Sequence, residues 1–421
     1  MNETCSIGPP WESLLHNCSY KGYHGHQIWC SHCRGYTGCG KPGERDVCFS
    51  GADMDSDPHL STIALKVSEV SGRADLAQYR QFRYRLYAGD SSYSATEEFI
   101  LDAVLGQTTR FARSCWVRPL MVVDADQVVA QCILIHDPAM PAMQVGFFEA
   151  LPDYPVAVEM LLDQARREAV AQGLDEIIVG LNGHLSYGVG ILSEGFAPAS
   201  FNSSWNKPYY QDYFATMDRL DLSCYASDVQ STVELIRVSP HPDPAGRQVS
   251  VRVADKRRWG QEMEILRTLC DATLGTTSLY APTNEGHFEQ LFGPLRYFLR
   301  PENLLFAVSE GREVGFCFWH PDFNEVLPFG RRLSIAEIAV RLALPHSFRT
   351  SILNAVGVLP DYRGVATAAL MARWADAQQG RFERWETTFI WDDNQSPIKV
   401  MQRSGAQPTR RFSVWREKVI P

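Results

Sequence analysis

The sequence of 421 residues contains little lysine and no long apolar segment. Only seven of its 40 basic residues are lysine, and 49 acidic residues bring the net charge to −9. A chain of this charge lacks the basic field with which proteins attract nucleic acid or anionic lipid. No apolar run approaches the roughly 18 residues that a membrane span needs, and no basic-then-apolar leader opens the chain. We therefore expect a cytoplasmic protein with no membrane partner.

Cysteine is scarce except at the N-terminus, where six of the eleven fall within the first 48 residues. In a reducing compartment this density favours a metal site over disulfides. Cys30-Ser-His-Cys33 can hold one ion from a tight turn, and Cys39 and Cys48 complete a set of four thiolates. We predict structural zinc at these four residues. An iron–sulfur cluster, a redox-sensitive or disordered tail, and a catalytic cysteine pair are the alternatives.

The rest of the chain contains two α/β blocks with the same order of elements. Each has a helix, a hairpin, a strand, a helix, a strand, a short helix and a last strand; in the first block the short helix is predicted at Tyr187–Glu194. Pro240–Pro244 is a stiff connector between the blocks. The sequence thus predicts a Cys/His-rich module at 1–58 and two domains at 59–239 and 245–421.

The segment from Val356 to Met371 carries the clearest chemical signal. A β-branched strand leads to Pro360, then to the turn Arg363-Gly364, and then to a helix of small residues. Such a turn directs backbone N–H groups and a helix N-terminus at one point, which suits an anionic pyrophosphate. Arg363 can add a charge-assisted hydrogen bond.

This segment resembles the GNAT superfamily of N-acetyltransferases, whose signature Arg/Gln-x-x-Gly-x-Gly/Ala aligns with Arg363–Ala368. Ala366 replaces the usual glycine, and in the matching downstream segment Met401 stands where many members carry a proton-donating tyrosine. A thioether cannot donate a proton. The resemblance implies an α/β (α+β) fold of two tandem GNAT-like domains, each a mixed, mostly antiparallel sheet flanked by helices. It also implies that acetyl-CoA or another acyl-CoA binds at Val356, Val358, Arg363, Gly364, Val365, Ala366, Thr367, Ala368 and Asn394.

The first block matches in order of elements but not in chemistry. At the place of the phosphate turn, Val145 to Pro155 enters its helix without Arg-Gly. The resemblance therefore implies a degenerate GNAT-like domain that helps to shape the acceptor site of the second.

Transfer to an amine needs a base and a group that polarises the thioester carbonyl. We expect the Val358 N–H to polarise the carbonyl, and His320, Asp322 or Glu337 to be the base. For each of these three side chains an ordinary structural place in a turn or at the surface is the alternative.

The expected function is transfer of an acetyl or acyl group from acyl-CoA to an amine of a small molecule, for instance in specialised metabolism. A donor bound to tRNA or to a carrier protein is one alternative, and tRNA is the only nucleic acid that enters these expectations. A non-catalytic GNAT module that binds acyl-CoA is another.

Overall fold

The computed structural model describes residues 65–93, 96–201, 203–238, 246–283, 285–326, 340, 342, 344 and 347–419, which all belong to one unit. The described helices are α1 Gly72–Leu86, α2 Thr96–Leu105, α3 Arg110–Ser114, α4 Pro155–Ala171, α5 Val229–Val238, α6 Trp259–Leu274, α7 Glu285–Phe292, α8 Val365–Gln378 and α9 Gln395–Arg403. Among the described residues, no helix combines the length and the apolar character that a membrane span requires.

The strands of the first half, residues 65–238, are β1 Lys66–Glu69, β2 Trp116–Asp124, β3 Gln127–His136, β4 Met143–Ala150, β5 Glu176–Val179, β6 Ile191–Glu194 and β7 Asp218–Asp228. Those of the second half, residues 246–419, are β8 Ser250–Val253, β9 Leu304–Ser309, β10 Arg312–Pro321, β11 Thr350–Val358, β12 Arg384–Thr387, β13 Ile390–Trp391 and β14 Gln407–Lys418. The mixed, helix-flanked architecture that the resemblance implies is confirmed, although the strands of both halves join in one sheet and do not form two.

Local chemistry explains most element boundaries. The β2–β3 hairpin turns at Ala125 and Asp126, which both have positive φ, the conformation that matches the twist of a two-residue hairpin. The predicted helix at Tyr187–Glu194 is wrong, because Ile191–Glu194 is strand β6 and pairs with β14. Gly188 and Gly190 have φ of 127° and 83°, outside the right-handed helical region, so a helix cannot run through them.

The two halves exchange their last strands within one continuous sheet. Its order is β1-β2-β3-β4-β5-β14-β7-β12-β11-β10-β9-β8. Strand β14 from the end of the chain lies between β5 and β7, and it also pairs with β6. In return, β7 of the first half pairs with β12 and β13 of the second. Each half is therefore completed by a strand of the other.

In the second half, the two faces of the sheet pack against different helices. Trp319, Leu353 and Trp385 belong to the apolar core that contains α8. Phe318 and Ala355 belong to the core that contains α6 and α7 on the opposite face. Because side chains alternate along a strand, this assignment fixes which face each neighbouring residue occupies.

Candidate active site

A bulge in β11 opens a slot between two parallel strands. Phe318 pairs with Ala355 and Trp319 with Leu353, so Asn354 is an extra residue without a partner on β10. The parallel pairing of β11 with β12 ends at Leu353. Beyond it, the Thr388 hydroxyl donates a hydrogen bond to the Asn354 carbonyl at 2.9 Å. The bulge thus separates the strands, and none of the described strands pairs with this edge of β11 from residue 355 onward.

The open edge of β11 presents backbone donors. The N–H of Leu359 donates to the Val314 carbonyl at 2.9 Å, on the side of β10. Because successive N–H groups of a strand point to opposite edges, those of Val358 and Val356 face the slot. Either group can donate a hydrogen bond to a carbonyl placed there.

A tight turn follows the slot and begins helix α8. Gly364 is the N-cap residue, with φ 97° and ψ −78°, and a Cβ at this position would meet no atom within 4 Å. Glycine is therefore required by the backbone conformation and not by lack of space. The first N–H groups of the helix, from Val365 to Thr367, have no intrahelical acceptor. With the exposed Arg363 beside them, they could hold a phosphate group.

The corresponding slot of the first half is closed by side chains. Strand β4 also carries a bulge, at Phe147, but the N–H of Phe147 donates to Asn182 Oδ1 at 2.7 Å. The Gln144 amide exchanges two hydrogen bonds with the backbone of Gly183, at 2.9 and 3.2 Å. Helix α4 then begins with Pro155, which has no N–H to offer. In the described part of the first half there is neither an open slot nor a phosphate turn.

Two of the predicted catalytic residues lie together at the closed end of the second slot. His320 is opposite Ile352 on β11, and Asp322 follows at the end of β10. Since Trp319 and Leu353 face α8, His320 and Ile352 face the opposite side of the sheet. Counted along β11 from Ile352, Val356 is about 13 Å away and Val358 about 20 Å away. Of the two slot-facing N–H groups, that of Val356 is nearer to the pair.

The hydrogen bonding of His320 fixes its tautomer. Nδ1 lies 2.8 Å from the Pro321 carbonyl oxygen, which can only accept, so Nδ1 carries the proton and Nε2 has a lone pair. No described residue donates to Nε2. The side chain is 4% exposed, with its ring stacked on Phe323 and meeting the edge of Phe201. Burial lowers the pKa of His320 to about 4, which keeps the ring neutral.

Asp322 has the proton affinity of a base that works near neutral pH. Its Oδ1 accepts hydrogen bonds from the N–H groups of Phe201 at 2.8 Å and Asn324 at 3.1 Å. Its Oδ2 has no hydrogen-bond partner among the described residues. Burial raises the pKa of Asp322 to about 7, although the two N–H groups act in the opposite direction. Of the two candidates, Asp322 is therefore the better matched to proton transfer.

The structure adds a charged pair that the sequence analysis missed. Glu386 on β12 and His320 on β10 both lie opposite Ile352, one on each side of it. All three side chains therefore share one face of the sheet. Arg410 on β14 donates to Glu386 Oε1 at 2.8 Å, and both side chains are buried. No local sequence pattern predicts this pair, because the two residues meet only through the register of β12 on β11 and the position of β14 in the sheet.

No family model matches the chain. Protein YghO of Escherichia coli (strain K12) is 22% identical in an alignment of 295 residues that covers 65% of this chain and 73% of that protein. A GCN5-related glucosamine N-acetyltransferase region of a fungal multi-domain GH3 beta-N-acetylglucosaminidase is 14% identical, with a TM-score of 0.50 over 86% of this chain and 39% of that one. A tandem GNAT protein from the clavulanic acid biosynthesis pathway is 14% identical, with a TM-score of 0.49 over 85% and 99% of the two chains.

The chain has the GNAT fold. The resemblance drawn from Arg363–Ala368 is confirmed at the level of the fold. Of the residues expected to bind acyl-CoA, Val356 and Val358 lie on the slot and residues 363–368 form the turn, whereas Asn394 lies at the start of α9. They stay candidates, as do the catalytic residues.

Two departures from the GNAT signature have a structural explanation. Ala366 is 0% exposed and belongs to the apolar core, so its methyl group points into the protein and not toward the turn. Met401 is also buried in this core, at 4% exposure. Asn394 is the N-cap residue of α9, and its side chain is half-buried with no capping hydrogen bond.

The two GNAT halves share a motif that sequence reasoning could have found. Leu151-Pro152-Asp153-Tyr154 recurs as Leu359-Pro360-Asp361-Tyr362, 208 positions later (151 to 359). The same offset relates Met143 pairing with Ile177 to Ser351 pairing with Trp385. The repeat aligns Pro155 with Arg363, and it therefore identifies which half lost the phosphate turn.

Several predicted residues lie outside the described part of the chain. They are Glu337 and the four cysteines Cys30, Cys33, Cys39 and Cys48, together with the connector Pro240–Pro244. Among the described residues, no group of three or more potential metal ligands comes together.

Proposed function

We propose that this protein is an N-acyltransferase that transfers an acetyl or other acyl group from acyl-CoA to an amine of a small molecule. The second half holds the donor, and the first half covers the acceptor side. The observation that carries the proposal is the contrast between the halves: the second has an open slot followed by a phosphate turn, and the first has both closed.

Different groups around the slot and the turn would bind different parts of acyl-CoA. Arg363 and the N–H groups of Val365, Ala366 and Thr367 would hold the pyrophosphate, while the edge of β11 would bind the extended arm that follows it. The Val356 N–H, or that of Val358, would donate to the acyl oxygen. Bound acyl-CoA would supply an acyl group activated as a thioester.

Asp322 is the proposed base. Its free Oδ2 would receive the proton of the incoming amine by way of water, because the pair lies about 13 Å or more along the sheet from the Val356 N–H. The pKa of Asp322, about 7, allows it both to take and to release a proton near neutral pH, and CoA would leave as the thiolate. The neutral His320, with its lone pair on Nε2, would accept a hydrogen bond from that water. A carboxylate also favours the approach of a cationic amine.

Titration calorimetry with acetyl-CoA tests the donor half of the proposal. Wild type is expected to bind, and Arg363→Glu to bind at least tenfold more weakly, because a carboxylate would repel the phosphates. Arg373→Glu is the matched control, since this exposed residue lies on the same helix away from its N-terminus. Absence of binding to wild type would refute the proposal and direct the search to donors on a carrier protein or tRNA.

From the sequence alone, we also propose that Cys30, Cys33, Cys39 and Cys48 hold one structural zinc ion. Metal analysis of protein purified in reducing buffer should then find about one zinc per chain. Cys33→Ser should lower that content, whereas Cys317→Ser, which changes a buried cysteine, should not. A metal-free wild type would remove the zinc proposal without affecting the acyltransferase proposal.

A further inference from the structure

The first half reaches the candidate catalytic pair through one short segment. Residues Pro198–Phe201, here called the bridging segment, end at Phe201, whose N–H donates to Asp322 and whose ring meets the edge of His320. The ring centroids of Phe201 and His320 are 5.5 Å apart. The position of this segment therefore determines the surroundings of both candidate residues.

One guanidinium on the exchanged strand holds the bridging segment. Arg410 donates from Nη1 to the Ser200 hydroxyl at 2.8 Å and from Nη2 to the Pro198 carbonyl at 2.8 Å. The same Nη1 donates to Glu386 at 2.8 Å. Arg410 is 9% exposed, so these charge-assisted bonds form in a dry environment, where they are strong and directional.

The contacts of Arg410 join residues of the second half to a segment of the first half. Glu386 belongs to β12 and Arg410 to β14, whereas the bridging segment belongs to the first half. A second contact, from the Asn324 amide to the Ala199 carbonyl at 2.8 Å, holds the middle of the segment. Arg410 lies on β14 and not at the end of β10, where His320 and Asp322 are found. It can therefore be substituted while the side chains of His320 and Asp322 are kept.

We propose that Arg410 is a positioning residue: by binding Glu386, Ser200 and the Pro198 carbonyl, it holds Phe201 against Asp322 and His320. This inference rests on the proposed function, in which those two residues take up the proton of the amine by way of water. It also assigns the first half a role, because without the bridging segment Asp322 would lose a hydrogen-bond donor and His320 an aromatic neighbour.

The first test measures His320 directly by NMR. Protein with ¹³C-labelled histidine rings is titrated with acid, and the signal of His320 is identified among the eleven histidines by its loss in His320→Gln. The nearest charged groups on the elements packed here are Asp322, which follows β10, Glu386 across Ile352 on β12, and Arg410 on β14, which contacts Glu386. In Arg410→Gln, water would enter as the segment loosens, and the titration midpoint should rise from about 4 by about one pH unit or more toward the ordinary value of about 6.5.

The second readout is amide hydrogen exchange at Phe201, which reports the bond to Asp322. Arg410→Gln should accelerate this exchange at least tenfold. Arg410→Lys keeps a charge opposite Glu386 but cannot form the forked contact, so an intermediate effect is expected. Arg416→Gln is the matched control, because Arg416 is on the same strand as Arg410 and donates two hydrogen bonds to Glu176. Its loss should leave both readouts unchanged.

An unchanged His320 midpoint and unchanged exchange at Phe201 in folded Arg410→Gln would overturn the inference. If that variant does not fold, Ser200→Ala removes only one of the three contacts, and it should shift both readouts in the same direction by less. No shift in Ser200→Ala would then overturn the inference as well. Neither readout needs acetyl-CoA, so failure of the proposed function would be seen separately, as absence of donor binding to wild type.

Discussion

Restoring the usual glycine of the GNAT signature, Ala366→Gly, should weaken the fold without strengthening donor binding. The signature by itself suggests that the extra methyl group obstructs the phosphates. In the structure, however, this methyl group is buried in the core beneath α8. Its removal loses about 1 kcal/mol of apolar burial, and glycine in a helix costs up to about 1 kcal/mol more. We expect the free energy of unfolding to fall by about 2 kcal/mol, and the Kd for acetyl-CoA to stay within about twofold.

Denaturant unfolding followed by circular dichroism measures the first quantity, and titration calorimetry the second. The matched control is Ala372→Gly, at an exposed position of the same helix, which changes helix propensity but removes no buried methyl group. The difference between the two variants isolates the burial, about 1 kcal/mol. A tenfold gain in affinity for Ala366→Gly, or equal stability of both variants, would refute the orientation of this methyl group.

Three further changes test other parts of the structure. Asn182→Ala leaves the buried Phe147 N–H without its acceptor, so the free energy of unfolding should fall by about 1–3 kcal/mol. Calorimetry should still find one acetyl-CoA per chain, and two per chain would contradict the closed first slot. Because burial lowers the pKa of His320 to about 4, its stabilising contribution is complete above about pH 6.5 and is lost as the pH falls toward 4. Between pH 7.5 and 5, the free energy of unfolding should therefore fall by about 2 kcal/mol more in wild type than in His320→Gln. The raised pKa of Asp322 acts in the opposite direction, but it does so in both proteins. Equal losses would argue against a buried neutral ring. Deleting Gln407–Lys418 removes a strand from the interior of the sheet, so cooperative thermal unfolding should disappear, and a truncated chain that keeps it would contradict the strand exchange.

Local features of the structure could be predicted from the sequence. The β2–β3 hairpin, strand β4 and the phosphate turn each depend on neighbouring residues, whose alternation and turn chemistry the sequence displays. The turn at Arg363-Gly364 was predicted because glycine with positive φ before a helix of small residues is a local requirement. The position of the second slot follows directly from it.

Non-local pairings could not be predicted in this way. The exchange of β7 and β14 depends on which edges meet in the folded sheet, and a strand has the same alternation whichever neighbour it finds. For the same reason the pair Glu386 and Arg410 was missed, whereas His320 and Asp322 could be proposed as candidates because they lie at the end of one predicted strand. The helix wrongly predicted at Tyr187–Glu194 has a related cause, since β6 is a strand only because β14 lies beside it.

The proposed function requires that the donor binds in the second half alone. Hydrogen exchange with and without acetyl-CoA, followed by mass spectrometry, tests it most directly, because the two halves align residue by residue around their slots. Protection is expected in peptides that cover residues 354–368 and not in those that cover the matching residues 146–160. Protection of the first-half peptides, or equal protection of both, would contradict this account.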